Sequence, residues 1–567
     1  MQWNIQVTKE KLFEQKTLFH PVVESILTSR GYHTKNDRDV FLAPDYERDV
    51  HDPFLFSAMD KVVERVRQAQ EKKEILGIFG DFDADGVTSS VLLRTALESL
   101  GIANVVYLPD KLSEGHGLNN KAVDFFAAEG AKCIFTLDCG MMNHDEILYA
   151  KEKEIEVIVV DHHHVPEVLP EAFAIINPKL KGEQYPFREL CGAGTTFKVA
   201  QALTTALDPE KTDQLKWLLD IVAIGTVADV MPLIGENRAF VKYGLLVLSK
   251  TRNLGLQALL KVSGIDFEKG ATSDAELIAF QIAPRINAAS RMAHARIAHD
   301  LLMAKTPDEA LLLAKKLQSL NTARQKQSAT FTQEIKEYLE EHKQGKQFLM
   351  ATGEYPYGIV GLIAGRIASS FQKPTAILTQ GETVSRGSFR SVPGFSVIEA
   401  LEQCAPLLER FGGHAQAAGM QIQNSNIPAF EEQFNALAEA WKKEQINTTD
   451  EKVLYIDAEL SPVHVGNEVL CELRKLAPYG EGNREPVFAL RKVPIETLRT
   501  LGKSNEHLKL GLKIENKTID GIGFQLGERA STLQPGVMVD IAFSLDENVW
   551  NGRRSLQLKI VDLRHGG

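Results

Sequence analysis

The stretch Ile75-Leu76-Gly77-Ile78-Phe79 runs into Asp81-Phe82-Asp83-Ala84-Asp85-Gly86. An apolar string of strand length that ends in carboxylates must find those charges a partner or a metal, because a buried charge is costly alone. The pattern recurs twice. Cys133-Ile134-Phe135-Thr136-Leu137 ends at Asp138, and Val157-Ile158-Val159-Val160 ends at Asp161-His162-His163. Strings at 75–79, 104–108, 132–137, 156–160 and 173–176 alternate with helical stretches. Thr88 to Leu100 places Val91, Leu92, Ala96 and Leu100 on one face and stops at Gly101, and Asn120 to Glu129 stops at Gly130. Such alternation implies right-handed crossovers and a parallel sheet, whose ligands sit at the carboxyl ends of the strands. The acids and imidazoles all fall at carboxyl ends. That is a metal-site signature.

Outward from this unit the character of the chain changes in steps. A more helical region covers roughly Thr195 to Lys261. Thr306-Pro307-Asp308-Glu309 then reads as a helix start, with Thr as N-cap, Pro at N1 and an acid at N3. The polar stretch behind it, through Glu341, reads as one long solvent-bathed helix joining two domains. A second α/β unit spans 347–440, with strands at Phe348-Leu349-Met350 and Thr375-Ala376-Ile377-Leu378. After the polar stretch Lys442 to Lys452 come short strands at 453–457, 487–493, 508–514, 518–524, 537–545 and 555–563. They predict a small all-β barrel of the oligonucleotide-binding type. The expected division is an N-terminal segment 1–50, a parallel-sheet α/β domain 51–270, a helical connector 271–345, a smaller α/β domain 346–445 and an all-β domain 450–567.

Composition bounds the function. The chain has 567 residues, 44% apolar and 25% charged, so it is ordinary globular material for several domains. A formal net charge of −11 argues against a protein that coats nucleic acid non-specifically, although a local basic groove can still steer phosphates. The stretch from Arg491 onward is richer in Lys and Arg than in acids. Five scattered cysteines without a CxxC exclude a zinc ribbon and point to a reducing compartment. The N-terminus has no basic region followed by an apolar one. The longest apolar run, Ile221 to Ile234, carries Gly225 and Asp229. A cytoplasmic protein without membrane segments is expected.

The single motifs differ in weight. Asp83-Ala84-Asp85-Gly86 can turn two carboxylates onto one cation, or be a solvated helix cap; it also satisfies the DxDG[T/V] pattern of aspartyl phosphatases. Asp138 alone would read as a helix cap. Asp161-His162-His163-His164 is stronger, since three consecutive histidines cannot face one point and would divide between metal and substrate. Asp229, inside an apolar string, must be paired.

Taken together in chain order, Asp83 and Asp85, Asp138, Asp161-His162-His163 and Asp229 resemble the four motifs of the DHH phosphoesterases. The resemblance implies a two-metal centre bridged by Asp138, with Asp83 on one side and Asp85, His162 and Asp229 on the other. His163 would touch substrate, with Asp81 and Asp161 in support. Where many relatives carry histidine four residues before the first acid, this chain has Phe79. Hard carboxylates with an imidazole suit two Mn²⁺ or Mg²⁺ ions. Further stretches resemble the same family. Gly412-Gly413-His414-Ala415-Gln416-Ala417-Ala418-Gly419 looks like the glycine-rich signature of its associated domain, and Ser388-Phe389-Arg390-Ser391 like its substrate loop. Pro284-Arg285-Ile286-Asn287-Ala288-Ala289-Ser290-Arg291 has Ser290 where glycine is usual, and Pro109 to Leu118 has Lys111 for arginine and His116 for tyrosine.

Leu476-Ala477-Pro478-Tyr479-Gly480-Glu481-Gly482-Asn483 fits the family's β-domain. This combination implies the branch that degrades single-stranded DNA from the 5′ end to 5′-mononucleotides in repair and recombination. Lys111, Arg285, Arg291, Ser388, Arg390 and His414 are then the substrate-binding candidates. Tyr479, Phe488 and Phe524 are candidates to stack bases, with the core the expected place of Phe488 and Phe524. Single-stranded DNA, a single-strand-binding protein and a helicase are the implied partners. The alternatives are a phosphodiesterase for short oligonucleotides, a non-catalytic DNA-binding scaffold, and an aspartyl phosphatase acting through Asp83.

Overall fold

The five apolar strings pair as an all-parallel sheet in the order Asn104–Tyr107, Ile75–Gly80, Ala131–Leu137, Glu156–Val160, Ala174–Ile176. The computed structural model describes residues 2–12, 19–268, 271–445, 453–502, 504–550 and 553–566. In register, Gly80 lies beside Leu137 and Leu137 beside Val160, so the next residues Asp81, Asp138 and Asp161 leave the sheet at one level. The strand order reverses between Ile75–Gly80 and Ala131–Leu137, the switch point where open α/β sheets bind ligands.

The helix after the first strand begins earlier than its periodicity implies, at Ala84 rather than Thr88, and runs to Ser99. Asp83 is the reason. Its carboxylate accepts the N–H groups of Asp85 (3.0 Å) and Gly86 (3.1 Å), so the acidic motif itself is the helix cap. Helices Gly192–Leu207 and Leu219–Ala228 pack on this helix; the second is buried from Leu219 to Thr226, which is why its sequence is apolar on every side.

The connector opens with the short helix Ala275–Leu277, passes through a π turn at Ile278–Ile282, continues as Ala283–Met292, and culminates in the 36-residue helix Pro307–His342. At 1.5 Å per residue this helix is about 54 Å long. The predicted cap is present, Thr306 accepting the N–H of Glu309. The expectation that it is bathed in solvent needs correction. A stripe of Ala310, Ala314, Leu317, Asn321, Ser328, Thr332, Ile335 and Leu339 is buried along it against both α/β units.

The second α/β unit is a mixed sheet ordered Arg410–His414, Ala417–Gln423, Val384–Arg390, Thr375–Thr379, Leu349–Gly353, of which only the last pair is parallel. Part of the polar stretch 442–452 lies outside the described residues. Beyond it, Phe488–Leu501 pairs on one side with His507–Ile514 and on the other with Met538–Trp550; Lys517–Gly523 and Arg553–His565 close the barrel.

Val453–Ile456 is not a barrel strand. It pairs in parallel with Gln2–Ile5, and Val22, Val23, Ile26, Leu27 and Phe41 share one core with Phe488, Leu510 and Ile541. The N-terminal residues therefore build the same body as the barrel. Trp3 donates its indole N–H to Asp562 at 2.8 Å, across 559 positions. Phe488 is buried, as expected, whereas Phe524 is 57% exposed and packs edge-on against His507, correcting its expected place in the core. Among the described residues no helix is long and apolar enough to cross a membrane.

Candidate metal centre

Three groups of side chains converge above the switch point, each with ligand atoms within 4.8 Å of one another: Asp81, Asp83 and Asp138; Asp85, His162 and Asp229; and Asp138, His162 and His163. Asp138 is shared between flanking sets, the position of a bridging ligand. Its backbone is in the left-handed region (φ 61°), which a non-glycine residue adopts only when its surroundings enforce it. Gly192 comes so close that a Cβ there would sit 2.6 Å from the Asp138 Cβ. The helix Gly192–Leu207 therefore has to begin with glycine.

Backbone positions several of the acids. Asp85 receives the N–H groups of Gly192 (2.7 Å) and Ala193 (2.8 Å), the positive end of the helix Gly192–Leu207. Asp229 caps the C-terminus of Leu219–Ala228. Asp161 accepts N–H groups from His162, His163 and Met141, and its Oδ1 lies 2.8 Å from His163 Nδ1. It organises the turn and belongs to none of the three groups.

Electrostatically the cluster is made for cations. Burial, then the neighbouring carboxylates, raises Asp83 and Asp138, lifts Asp85 to about 6 and Asp229 to about 8. Burial, reinforced by His163, pushes His162 down to about 3, leaving a neutral imidazole able to ligate. Its Nε2 lies 3.1 Å from Asp138, 3.5 Å from Asp229 and 3.8 Å from Asp85. The hydrogen bond to Asp161 raises His163 to about 9 against the effect of burial. His162 Nε2, Asp138 Oδ1 and Asp81 Oδ1 are buried without a hydrogen-bond partner, as ligand atoms of a metal would be. Five carboxylates and one imidazole fit hard divalent ions.

Around Asp83 stands a group of cations drawn from three parts of the chain. Lys111, its ammonium 4.9 Å from the Phe82 ring, is lowered to about 8 by burial and then by Arg291. Arg291, half-buried, is lowered to about 10 by desolvation and then by Arg324, while Asp83 opposes the shift. Arg390 donates to Ser388 Oγ (3.1 Å) and the Phe389 carbonyl (2.6 Å), and burial lowers it too. Gly361 leaves them room, since a Cβ there would lie 3.0 Å from both Arg390 and Ser388. Arg386 donates to the Leu112 carbonyl at 3.1 Å, joining the second unit to the Lys111 loop.

Lys111, Arg291, Ser388 and Arg390 are thus brought together, but two other candidates are not. Arg285 turns to Gln318 (2.7 Å) and the Gln281 carbonyl (2.5 Å) on the connector. His414 is exposed, two strands from Arg390 in register through Ala417, about 10 Å away. His116, standing for a tyrosine, bonds Asp81 through Nδ1 at 2.9 Å and so fixes an acid of the first group.

Gly192, Asn287 and Arg324 escape a reading of the sequence alone. Asn287 accepts the Ala84 N–H, and Arg324 lies on the long helix near Arg291, Arg285 and Arg366. The motif around Asn287 is the one local sign of its role.

The chain is similar to known proteins over nearly its whole length. Residues 76–226 match the DHH family N-terminal domain, 345–444 the DHHA1 domain and 456–562 the RecJ OB domain. The single-stranded-DNA-specific exonuclease RecJ of Bacillus subtilis is 34% identical over 572 residues, 99% of this chain and 70% of the relative. Its Escherichia coli namesake is 33% identical over 592 residues, 99% of both. The crystal structure of RecJ in complex with Mn²⁺ from Thermus thermophilus superposes with a TM-score of 0.80 at 30% identity, covering 96% of this chain and 76% of that one. The Mg²⁺ complex gives 0.75 at 28%, covering 96% and 75%.

Proposed function

The chain belongs to the RecJ family of DHH phosphoesterases, and from that membership we propose that it degrades single-stranded DNA from the 5′ end, releasing 5′-mononucleotides in DNA repair and recombination. It is a metal-dependent exonuclease that uses Mn²⁺ or Mg²⁺. One observation carries the reading. Asp138 is shared between two groups of potential ligands, and the Lys111 and Arg291 cations face Asp83 with Arg390 close to both.

When bound, two divalent ions supply an activated water at neutral pH and neutralise charge on the phosphoryl oxygens. Asp81, Asp83 and Asp138 would hold one, and Asp138, Asp85, His162 and Asp229 the other. Asp161 occupies His163 Nδ1, which leaves Nε2 to donate to a non-bridging phosphate oxygen. Lys111, Arg291, Ser388 and Arg390 hold a phosphate near the 5′ terminus and so set the polarity. Exposed Phe524 offers a stacking face on the barrel. A single-strand-binding protein and a helicase are the proposed partners, and the cytoplasm the proposed place of action.

The test uses single strands labelled at the 5′ or the 3′ end, in Mn²⁺. Labelled mononucleotide should appear at once from the 5′ label and only late from the 3′ label. Asp138→Ala should release none while keeping the melting profile of a folded protein. Early release from the 3′ label would reverse the polarity, and full activity in Asp138→Ala would remove the metal centre.

A further inference from the structure

The turn that presents Asp229 is strained, and the barrel holds it. Val230, the next residue, is a β-branched residue with φ 57° and is 65% exposed, so its own side chain packing does not enforce that conformation. The residues just after it, Pro232 and Leu233, are gripped from outside the catalytic domain. Leu233 donates its N–H to the Glu481 carbonyl at 2.8 Å. A Cβ on Gly480 would meet Leu233 Cδ1 at 2.7 Å, and one on Gly482 (φ 69°) would meet Pro232 Cβ at 3.0 Å.

The gripping loop is itself fastened. Gly480 and Asn483 exchange backbone hydrogen bonds of 3.0 and 3.1 Å, and Asn483 Nδ2 donates to the Leu476 and Pro478 carbonyls at 2.8 Å each. One turn beyond Leu233, Arg238 enters the joint, 2% exposed. Its guanidinium donates to the carbonyls of Leu476 (2.9 Å), Ala477 (2.8 Å) and Pro478 (3.3 Å), while its Nε serves Phe41. Such a fork of donors is available to arginine and not to lysine.

We infer that the barrel is a positioning element for the metal centre: the loop Leu476–Asn483 clamps the strained turn from Val230 to Leu233 and so aims the Asp229 carboxylate. Strained backbone persists only where neighbours over-determine it. Here the neighbours come from the barrel, some 250 positions later in the chain. On this view the Leu476–Asn483 motif serves the chemistry rather than the DNA. The proposal rests on the reading of Asp229 as a metal ligand, and extends it to residues that touch neither metal nor substrate.

The test counts Mn²⁺ on the full-length chain by electron paramagnetic resonance. Gly482→Val crowds Pro232 and burdens a left-handed position; Arg238→Lys keeps the charge but loses the fork. Each should weaken binding of one ion tenfold or more and leave the other at its wild-type affinity, with the exchange-coupled two-ion signal lost at concentrations that saturate the wild type. Val230→Asn, which accepts the left-handed conformation, should restore most of that affinity to Gly482→Val. Two ions at wild-type affinity in both variants would overturn the proposal, as would loss of both ions together with folding, or no recovery with Val230→Asn. Failure of the wild type to bind two ions would instead overturn the metal-centre reading itself.

Discussion

Asn287, on the connector, accepts the backbone N–H of Ala84 at 2.9 Å, a bond that spans 203 positions of sequence. Ala84 follows Asp83 directly, so the helix carrying Arg291 also fixes the first acidic motif. Metal ligands and phosphate cations are thereby set in one frame.

Deleting that acceptor leaves an N–H at the helix start without its partner, a cost of about 1–3 kcal/mol. Asn287→Ala should lower the melting temperature modestly. It should reduce the exonuclease rate by tenfold or more at saturating DNA, because the displaced group is beside the chemistry. Wild-type turnover in this variant would show that the connector does not set the position of Asp83.

Two arginines of one motif should behave differently from each other, and one of them like a residue far away. Arg291 and Arg390 are half-buried, the first facing Asp83 and the second bonded to Ser388, whereas Arg285 is spent on Gln318 and Gln281. A charge-assisted contact to phosphate is worth about 1.5–3 kcal/mol. Arg390→Ala and Arg291→Ala should therefore lower kcat/KM by about 10- to 100-fold. Each should also flatten the dependence of affinity on salt by about 0.7 in log–log slope. Arg285→Ala should stay within about twofold on both measures. A loss in Arg285→Ala equal to that in Arg390→Ala would put a second phosphate on the connector.

The contrast shows what a sequence can carry. Strand ends with acids are readable because strand length, apolar content and the terminal charge are all local, and the register then sets Asp81, Asp138 and Asp161 level. Asn287, Gly192 and the clamp on Leu233 depend on partners 50 to 250 positions away, and only Asn287 sits in a motif that hints at its role. The same holds for Gln2–Ile5. It is a poor strand alone and is completed by Val453–Ile456. Arg285 and Arg291 read alike because they share a motif; only the side of the helix each occupies separates them. Phe524 reads as core by hydrophobicity, but it falls just past the strand Lys517–Gly523 and faces solvent beside His507.

A fully buried ion pair ties together two helices of the catalytic domain, Gly192–Leu207 and Gly235–Leu248. Lys198 Nζ lies 2.6 Å from Glu236, which also accepts the Tyr185 hydroxyl at 2.6 Å, and Lys198 donates to the His51 carbonyl at 2.5 Å. Breaking such a pair from one side leaves an uncompensated buried charge and costs about 3–5 kcal/mol. Glu236→Gln should destabilise the domain by that amount. Lys198→Met combined with Glu236→Gln should recover a large part of it, as read from chemical denaturation. A double variant no more stable than Glu236→Gln would mean that the hydrogen bonds to His51 and Tyr185, and not the charge, dominate.

The metal-free protein should lose stability as pH rises through neutrality. Asp229, raised to about 8 chiefly by burial, and His163, raised to about 9 by Asp161, both bind protons more tightly folded than unfolded. Their contribution is complete below the unfolded values and is lost as pH climbs through the folded ones. His162, held down near 3, is neutral in both states above pH 7 and adds no slope there. Between pH 7 and 8.5 the melting temperature in chelator should therefore fall. Asp229→Asn, which cannot lose a proton, should melt higher than wild type at pH 8.5 in chelator and show a shallower decline. Mn²⁺ should reverse the trend, because metal competes with protons for the same carboxylates and its stabilisation grows as they ionise. A melting temperature in chelator that is flat or rising over this range would mean that these groups do not carry their protons in the folded, metal-free protein.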